Sequence, residues 1–269
     1  LQTAIMLDQH AAPAWRDKVL RPLVAGEFSV SFAATEPDVA GSDPTGMQTS
    51  ARLEGGEWVI NGKKWFISLL AHARYVVVWC RTESDDVPLH KRFSMIIVPK
   101  DAPGLKIKRD MEILGLGGVL SGHFELEFDN VRVPAENLIG ERGAGFTMGQ
   151  NRLGPGRIFH CMRWLGMAQR AFDIMCGRVN SRMLHGKPLA AKGMVQKEIF
   201  DSYAEIQQAR LMVLDAAAKI DAGSQARVEI SAIKVVTPPM AHRVLARAIQ
   251  VHGAMALSQD TPLQRMYRG

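Results

Sequence analysis

The sequence predicts an α+β protein: a short helical opening, a β-rich middle and a C-terminal bundle of long helices. Three observations carry that prediction. Short strand-like runs separated by Gly and Asn turns recur between residues 49 and 128. From about Gly145, apolar residues recur at three- and four-residue steps through three long segments. The composition is that of an ordinary globular chain, 269 residues with 47% hydrophobic and 22% charged residues.

Residues 1–27 read as helical, punctuated by Pro13 and Pro22; Leu1, Ala4 and Ile5 open a face with no capping residue before it. Residues 28–135 read as β. Thr49–Leu53 and Glu57–Ile60 flank Gly55-Gly56, a hairpin signal, and Asn61-Gly62 predicts a second turn leading into Lys63–Ser68. Tyr75–Arg81, Phe93–Val98, Leu105–Asp110 and His123–Phe128 follow at short intervals, as in a compact barrel or sandwich. Segments 145–182, 192–222 and 225–251 read as long helices, broken by Gly186-Lys187-Pro188 and Gly223-Ser224. Asp260 or Thr261 reads as the cap of a fourth helix with Pro262 in its first turn, completing an antiparallel four-helix bundle. The expected domains are 1–27, the end of a helical domain; 28–140, a β-barrel; and 141–269, the bundle.

Several function classes are excluded early. No stretch of 18 apolar residues is present, so no membrane-spanning helix is expected. Cys80, Cys161 and Cys176 form no CxxC pair, which speaks against a zinc ribbon or disulfide scaffold. No GxxxxGK[ST], GxSxG or HExxH motif occurs, and Gly115 and Gly117 are followed by Leu120 where a dinucleotide fingerprint needs glycine. No metal site is expected. The net charge of +6 is unevenly spread: −3 over residues 1–151 and +9 over 152–269. A basic C-terminal half suits a phosphate-bearing ligand or a solvated surface; without interleaved aromatics it does not make a nucleic-acid site.

The segment Phe32–Asp43 is the most informative. Small residues, a proline and the Gly41-Ser42-Asp43 turn make a loop whose backbone N–H groups and two hydroxyls, Thr35 and Ser42, suit a heterocycle edge or a pyrophosphate. Its sequence ATEPDVAGSD at 34–43 resembles the Thr-Glu-Pro loop of the acyl-CoA dehydrogenases. Further resemblances run in family order: INGKKWFIS at 60–68, FELEFDNVRVPAENLIG at 124–140, RLGPGRIFHCMRWLGMAQRAFDIM at 152–175, SRMLHGKP at 181–188 and RAIQVHGAMALSQDTPL at 247–263. RLGPGRIFHCMR is most similar to the branch containing acyl-CoA dehydrogenase family members ten and eleven.

The resemblance implies a helical N-terminal domain, of which 1–27 would be the tail, a middle β-barrel and a C-terminal four-helix bundle. It implies an FAD cofactor and a fatty acyl-CoA substrate, with a carboxylate removing the α-proton and the flavin taking the β-hydride. By the same resemblance Phe32, Ala34 and Thr35 line the flavin ring, Phe66 stands where a tryptophan usually stacks beside it, and Ser68 stands where a threonine usually bonds near its reactive nitrogen. Ser42 matches a position near the flavin pyrophosphate and the acyl-CoA, and Arg157 a substrate-binding arginine. Arg182, His185, Gln250 and Gly253 match positions reaching the adenosine-diphosphate part of the neighbouring subunit's FAD. Electron-transferring flavoprotein is the implied acceptor and a homodimer or homotetramer the implied assembly. The implied location is cytoplasmic in a bacterium, or the mitochondrial matrix or a peroxisome in a eukaryote.

Departures from the family pattern sharpen the reading. His185 replaces a phenylalanine, Leu69-Leu70 replace small polar residues, and Ala254 and Ala256 replace glycines. The usual catalytic carboxylate is expected two to three turns past Tyr267-Arg268, beyond Gly269; the alternative position, just before Arg157, holds Gly156. Glu36 belongs to the loop motif and is not expected to be the base. The competing expectation is a non-catalytic relative, an acyl-CoA-binding or oligomerising scaffold of the same fold.

Overall fold

The computed structural model describes residues 1–115 and 122–268; the predicted Gly117–Leu120 departure from a dinucleotide fingerprint lies outside the described residues. The chain divides into two compact units, Leu1–Leu153 and Gly154–Gly269.

The first unit opens with α1 (Gln2–His10), then α2 (Pro13–Trp15), a π-helical turn (Arg16–Leu20) and α3 (Arg21–Ala25). Pro13 suits the first turn of α2, and Gly26, at φ +78°, ends α3 in the left-handed region that glycine tolerates. Eight strands follow: β1 (Ser29–Ala33), β2 (Ser50–Glu54), β3 (Glu57–Ser68), β4 (Ala73–Arg81), β5 (Phe93–Pro99), β6 (Leu105–Met111), β7 (His123–Pro134) and β8 (Leu138–Ile139). They form one mixed sheet in the order β6-β7-β3-β2-β4-β5-β8, with β1 parallel to β4. Gly55-Gly56 makes the predicted two-residue hairpin, both glycines at positive φ, with Glu54 opposite Glu57.

The second predicted turn is absent. β3 runs through Asn61-Gly62 without reversing, and the pair instead marks a register shift against β7 between Ile60 and Gly62. Two contacts explain the residues. Asn61 accepts from the Asn130 backbone N–H at 2.8 Å, and Gly62, at φ +143°, lies so near β2 that a Cβ would come within 2.6 Å of the Thr49 Cα. Phe32 and Ala33 also differ from expectation, closing strand β1 rather than opening the loop.

β4 is buried on both faces, and alternation sorts its side chains into two cores. Val76, Val78 and Cys80 join Ile96, Val98, Leu126 and Phe128; Tyr75, Val77 and Trp79 join Met95, Ile97 and the helical residues Met6, Leu7 and Trp15. Each fully buried aliphatic side chain contributes roughly 1.5–3 kcal/mol. The Trp15 indole donates to the Glu136 carbonyl at 2.7 Å, and Asn137 to that of Ile97 at 2.7 Å, tying helices and strands into one body.

The second unit is helical. α4 (Gly145–Ser181) begins in the first unit and continues into the second; α5 (Gly193–Asp221), α6 (Arg227–His252) and α7 (Leu263–Arg268) follow. The predicted break at 186–188 is a small hairpin, β9 (Met183–Leu184) with β10 (Lys187–Pro188), turning at His185-Gly186. Three helices are long, at 37, 29 and 26 residues, whereas α7 has six described. Thr261 does not cap it: its hydroxyl is buried without a hydrogen-bond partner. Buried alanines (Ala168, Ala171, Ala209, Ala216, Ala241, Ala248) contribute to one core shared by α4, α5 and α6. Arg247 bridges Glu198 at 2.8 Å and Glu205 at 2.9 Å, stitching α6 to α5.

The three thiols are buried or half-buried. Burial pushes Cys80 up to about 12 and raises Cys161 and Cys176 as well.

Two glycines in contrasting settings check this packing. Gly62→Ala, which meets backbone at a left-handed φ, is expected to lower stability by about 3 kcal/mol. Gly166→Ala on α4, with open space where its Cβ would lie, is expected to raise it by about 0.5–1 kcal/mol. Thermal denaturation of the two variants reads the difference in sign.

Candidate functional site

The centre of the first unit's site is a buried ion pair. Lys64, on β3, has a fully buried side chain; its ammonium donates to Glu36 Oε1 at 2.9 Å and to the Ala34 carbonyl at 2.8 Å. Glu36 is 4% exposed and also accepts from the backbone N–H groups of Gln48 at 2.6 Å and Thr49 at 2.9 Å. Burial alone would raise its carboxyl pKa. Lys64 and the amide donors outweigh that and hold it below its ordinary value. Burial lowers the Lys64 ammonium against the opposing pull of Glu36. A carboxylate held this way is a structural clamp, in line with the expectation that Glu36 is not the base.

The clamp fixes the loop that follows β1. Thr35 donates its hydroxyl to the Trp65 carbonyl at 2.6 Å, and its own carbonyl accepts from the Trp65 N–H at 3.0 Å. The Thr35 hydroxyl proton is therefore committed, leaving its oxygen to act as an acceptor. Ala34 and Thr35 are thereby brought against Lys64 and Trp65, and Phe32, Ala34 and Thr35 are all half-buried. Phe66 is 43% exposed at φ +53°, with its ring 4.8 Å from that of Trp65. Leu69, 51% exposed, also lies at positive φ, the conformation that small polar residues adopt with less strain. An aromatic face and an aliphatic side chain thus stand uncovered next to a rigid loop.

Ser68 makes a 2.8 Å hydrogen bond to His123 Nδ1 on β7. Its carbonyl accepts from the Ser31 hydroxyl at 2.9 Å. His123 was not among the predicted site residues; in the sequence it is one end of an alternating strand, and only the β3–β7 register, Ser68 opposite His123, brings it in. Ser42 lies exposed in its turn, apart from these contacts. Next to it Asp43 accepts from the Thr45 N–H at 3.1 Å and from the Thr45 hydroxyl, which lowers its pKa. Arg152 and Trp79 also flank Phe32, at 3.9 Å from guanidinium carbon to ring centroid and 6.2 Å between ring centroids.

The second unit carries the other predicted residues. α4 is antiparallel to α5, with Gln169 against Arg210 and Phe172 against Tyr203. α5 is antiparallel to α6, with Glu205 against Arg243 and Lys219 against Glu229. α4 and α6 therefore run the same way, and their C-terminal ends share one end of the bundle. That topology brings Arg182 and His185 to the same end as Gln250 and Gly253, all four exposed. His185 takes φ +50° in its turn, and Gly253 caps α6 at φ +66° by donating to the Gln250 carbonyl. Arg157 is half-buried on α4, and Gly156 beside it is buried and carries no proton-accepting group. Among the described residues, no group of three or more His, Cys, Asp or Glu is placed to hold a metal ion.

The clamp sets a pH dependence. A carboxyl whose native pKa is depressed contributes stability above its ordinary value and loses it as pH falls through the native value. Glu36→Gln is expected to cost about 3–5 kcal/mol at pH 7, as for breaking a buried pair. The gap from wild type should begin to narrow as pH falls below the ordinary value of 4.5, where the unfolded carboxyl protonates, and close at the lower pH where the native carboxyl does. Denaturant midpoints measured from pH 7 to pH 3 read both.

The chain matches two family descriptions: residues 31–131 the acyl-CoA dehydrogenase middle domain, and residues 143–269 the acyl-CoA dehydrogenase C-terminal domain. It is 46% identical over 256 residues to the probable acyl-CoA dehydrogenase FadE2 of Mycobacterium tuberculosis, covering 94% of this chain and 62% of that protein. It is 42% identical to acyl-CoA dehydrogenase family member 11 of Rattus norvegicus, covering 97% of this chain and 34% of that protein. Its fold matches a putative acyl-CoA dehydrogenase from Mycobacterium abscessus with a TM-score of 0.95 and 38% identity, over 98% of this chain and 66% of that one. A structure of PigA with FAD and proline matches with a TM-score of 0.91 and 26% identity, over 99% and 68%. The chain thus spans less than two thirds of the length of the curated relatives it matches. From these matches and its middle and C-terminal architecture, the chain belongs to the acyl-CoA dehydrogenase family.

Proposed function

We propose that this chain is the flavin-holding and thioester-holding part of an FAD-dependent acyl-CoA dehydrogenase that forms a double bond between the α- and β-carbons of a fatty acyl-CoA. The observation that carries the reading is the Glu36–Lys64 clamp: it holds the Thr35 loop against Trp65 and leaves the Phe66 ring exposed beside it. A planar, apolar ring with a polar edge fits that surface. Phe32, Phe66 and Leu69 offer apolar faces; Ala34 leaves room; the Thr35 oxygen accepts from a ring N–H; Ser68, oriented by His123, meets the other edge. When bound, FAD supplies the acceptor for the hydride leaving the β-carbon.

The chain's own residues bind and orient. Ser42 and Arg157 hold phosphate or thioester oxygens, and Arg182 offers a two-pronged donor set to a pyrophosphate. Gln250 and Gly253 approach the adenosine end, with His185 standing beside the adenine in place of the family's phenylalanine. The location of these four at one bundle end suits a ligand shared with a second subunit, as a homodimer or homotetramer provides. No carboxylate within residues 1–269 is assigned as base; the reading places it beyond Gly269. Electron-transferring flavoprotein is the proposed acceptor, and the compartment follows the host, cytoplasm in a bacterium and mitochondrial matrix or peroxisome in a eukaryote. The uneven charge, +9 over residues 152–269, supplies counter-charge to the phosphates of FAD and CoA.

An anaerobic visible spectrum tests the reading. Flavin bands in the purified intact protein that bleach on adding a fatty acyl-CoA are the expected result. Bands that persist with every chain length tried point to a flavoprotein with a missing base or a different substrate; no bands at all favour the scaffold reading, which Leu69-Leu70 and His185 keep alive as departures. Arg182→Leu is expected to weaken FAD retention about 10-fold or more on gel filtration, leaving the unfolding midpoint of the flavin-free protein within error.

A further inference from the structure

We propose that Arg152 binds the acyl-CoA ligand, its guanidinium N–H groups donating to an anionic oxygen of that ligand beside Phe32. The inference rests on the acyl-CoA dehydrogenase reading of this face. Its ground is an imbalance of donors. Arg152 lies over the Phe32 ring at 3.9 Å, yet its Nε is buried with no hydrogen-bond partner. Trp79 is 2% exposed, has its ring 6.2 Å from that of Phe32, and its indole N–H is likewise buried and unmatched. Two side chains carrying unmatched donors thus flank one phenyl ring.

The same unit shows what a structural buried cation looks like. Lys64 has a carboxylate, a carbonyl and the Met47 sulfur around its ammonium. Arg152 has the face of a ring, which offsets only part of its lost hydration. Burial alone pushes its pKa down to about 10, with no counter-charge acting against it. An arginine keeps its proton under such pressure, so it stays a partly desolvated cation whose Nε–H is unmatched. A plain alkyl chain laid over that guanidinium would leave the N–H stranded, whereas an anionic oxygen satisfies it. Sites built to hydrogen-bond a substrate discriminate strongly against the analogue that lacks the bonding group. The oxygen has two possible sources, a carboxylate on the acyl chain or the phosphates of CoA.

Titration calorimetry on the intact protein separates them. The probes are free CoA, 3-thiaoctanoyl-CoA and its ω-carboxy counterpart, whose β-sulfur prevents hydride loss. If the acyl carboxylate is the partner, Arg152→Leu weakens the ω-carboxy probe at least 30-fold and leaves the other two unchanged. If the CoA phosphates are, all three weaken alike by 10-fold or more. Arg152→Lys, which keeps the charge and loses the fork, falls between. In either case the ligand-free leucine variant melts no lower than wild type, because leucine removes an unmatched buried cation, and its flavin content is unchanged. Affinities within twofold of wild type for all probes overturn the proposal, as does a lowered melting temperature or lost flavin with affinities intact. Should the leucine variant not fold, the lysine variant decides: a loss of fivefold or more supports the proposal and a change within twofold overturns it. A wild-type protein without flavin bands removes the flavin reading alone, since calorimetry still reports thioester binding.

Discussion

The Glu36–Lys64 pair is the interaction on which the first unit's site depends. Two charges withdrawn from water cost several kcal/mol each, and their attraction returns that only when every remaining lone pair and proton is matched. Here the match is made largely with backbone: Ala34 on one side, Gln48 and Thr49 on the other. Those three positions lie on the loop after β1 and on the approach to β2. One pair therefore ties the loop to two strands at once and leaves it little freedom to deform. A hydrophobic pair of equal volume would fill the space but would not specify where those backbone groups point. That difference is what a ligand-holding loop needs.

Much of the architecture was legible in the sequence, for reasons that individual residues make clear. Gly55-Gly56 announced a hairpin because a two-residue reversal demands positive φ twice. The long helices announced themselves through repeated apolar steps, which survive even Pro155 in α4 and Pro238-Pro239 in α6. Asn61-Gly62 misled because the same dipeptide serves a different need, a close approach between neighbouring strands, and local chemistry does not distinguish that from a reversal. Gly186-Lys187-Pro188, readable only as a break between helices, proved to carry paired backbone at Lys187 and Pro188, since strands of two residues carry no readable alternation.

The site was legible where backbone chemistry is encoded locally and illegible where it arises from register. The Thr35 loop stood out through its small residues and turn signals. Lys64 did not, because a lysine on a strand ordinarily reads as solvated and nothing in its neighbours reveals that its ammonium is enclosed. His123 entered only through its position opposite Ser68. At the bundle end, Arg182 and Gln250 are far apart in sequence, and their shared placement follows from the direction of two helices, a property of topology that no short motif contains.

The state of the sulfur atoms carries a consequence for wear. Oxidation of cysteine begins at the thiolate, and all three thiols here are held toward the neutral form. Thioethers need no such ionisation. Met162, Met183, Met194 and Met255 stand exposed, Met194 by 84%. Peroxide reaching this chain would meet those methionines before any cysteine. Damage would then accumulate as sulfoxide on the helical unit's surface, a lesion that reductases reverse, while the sulfur beneath the ion pair stays untouched.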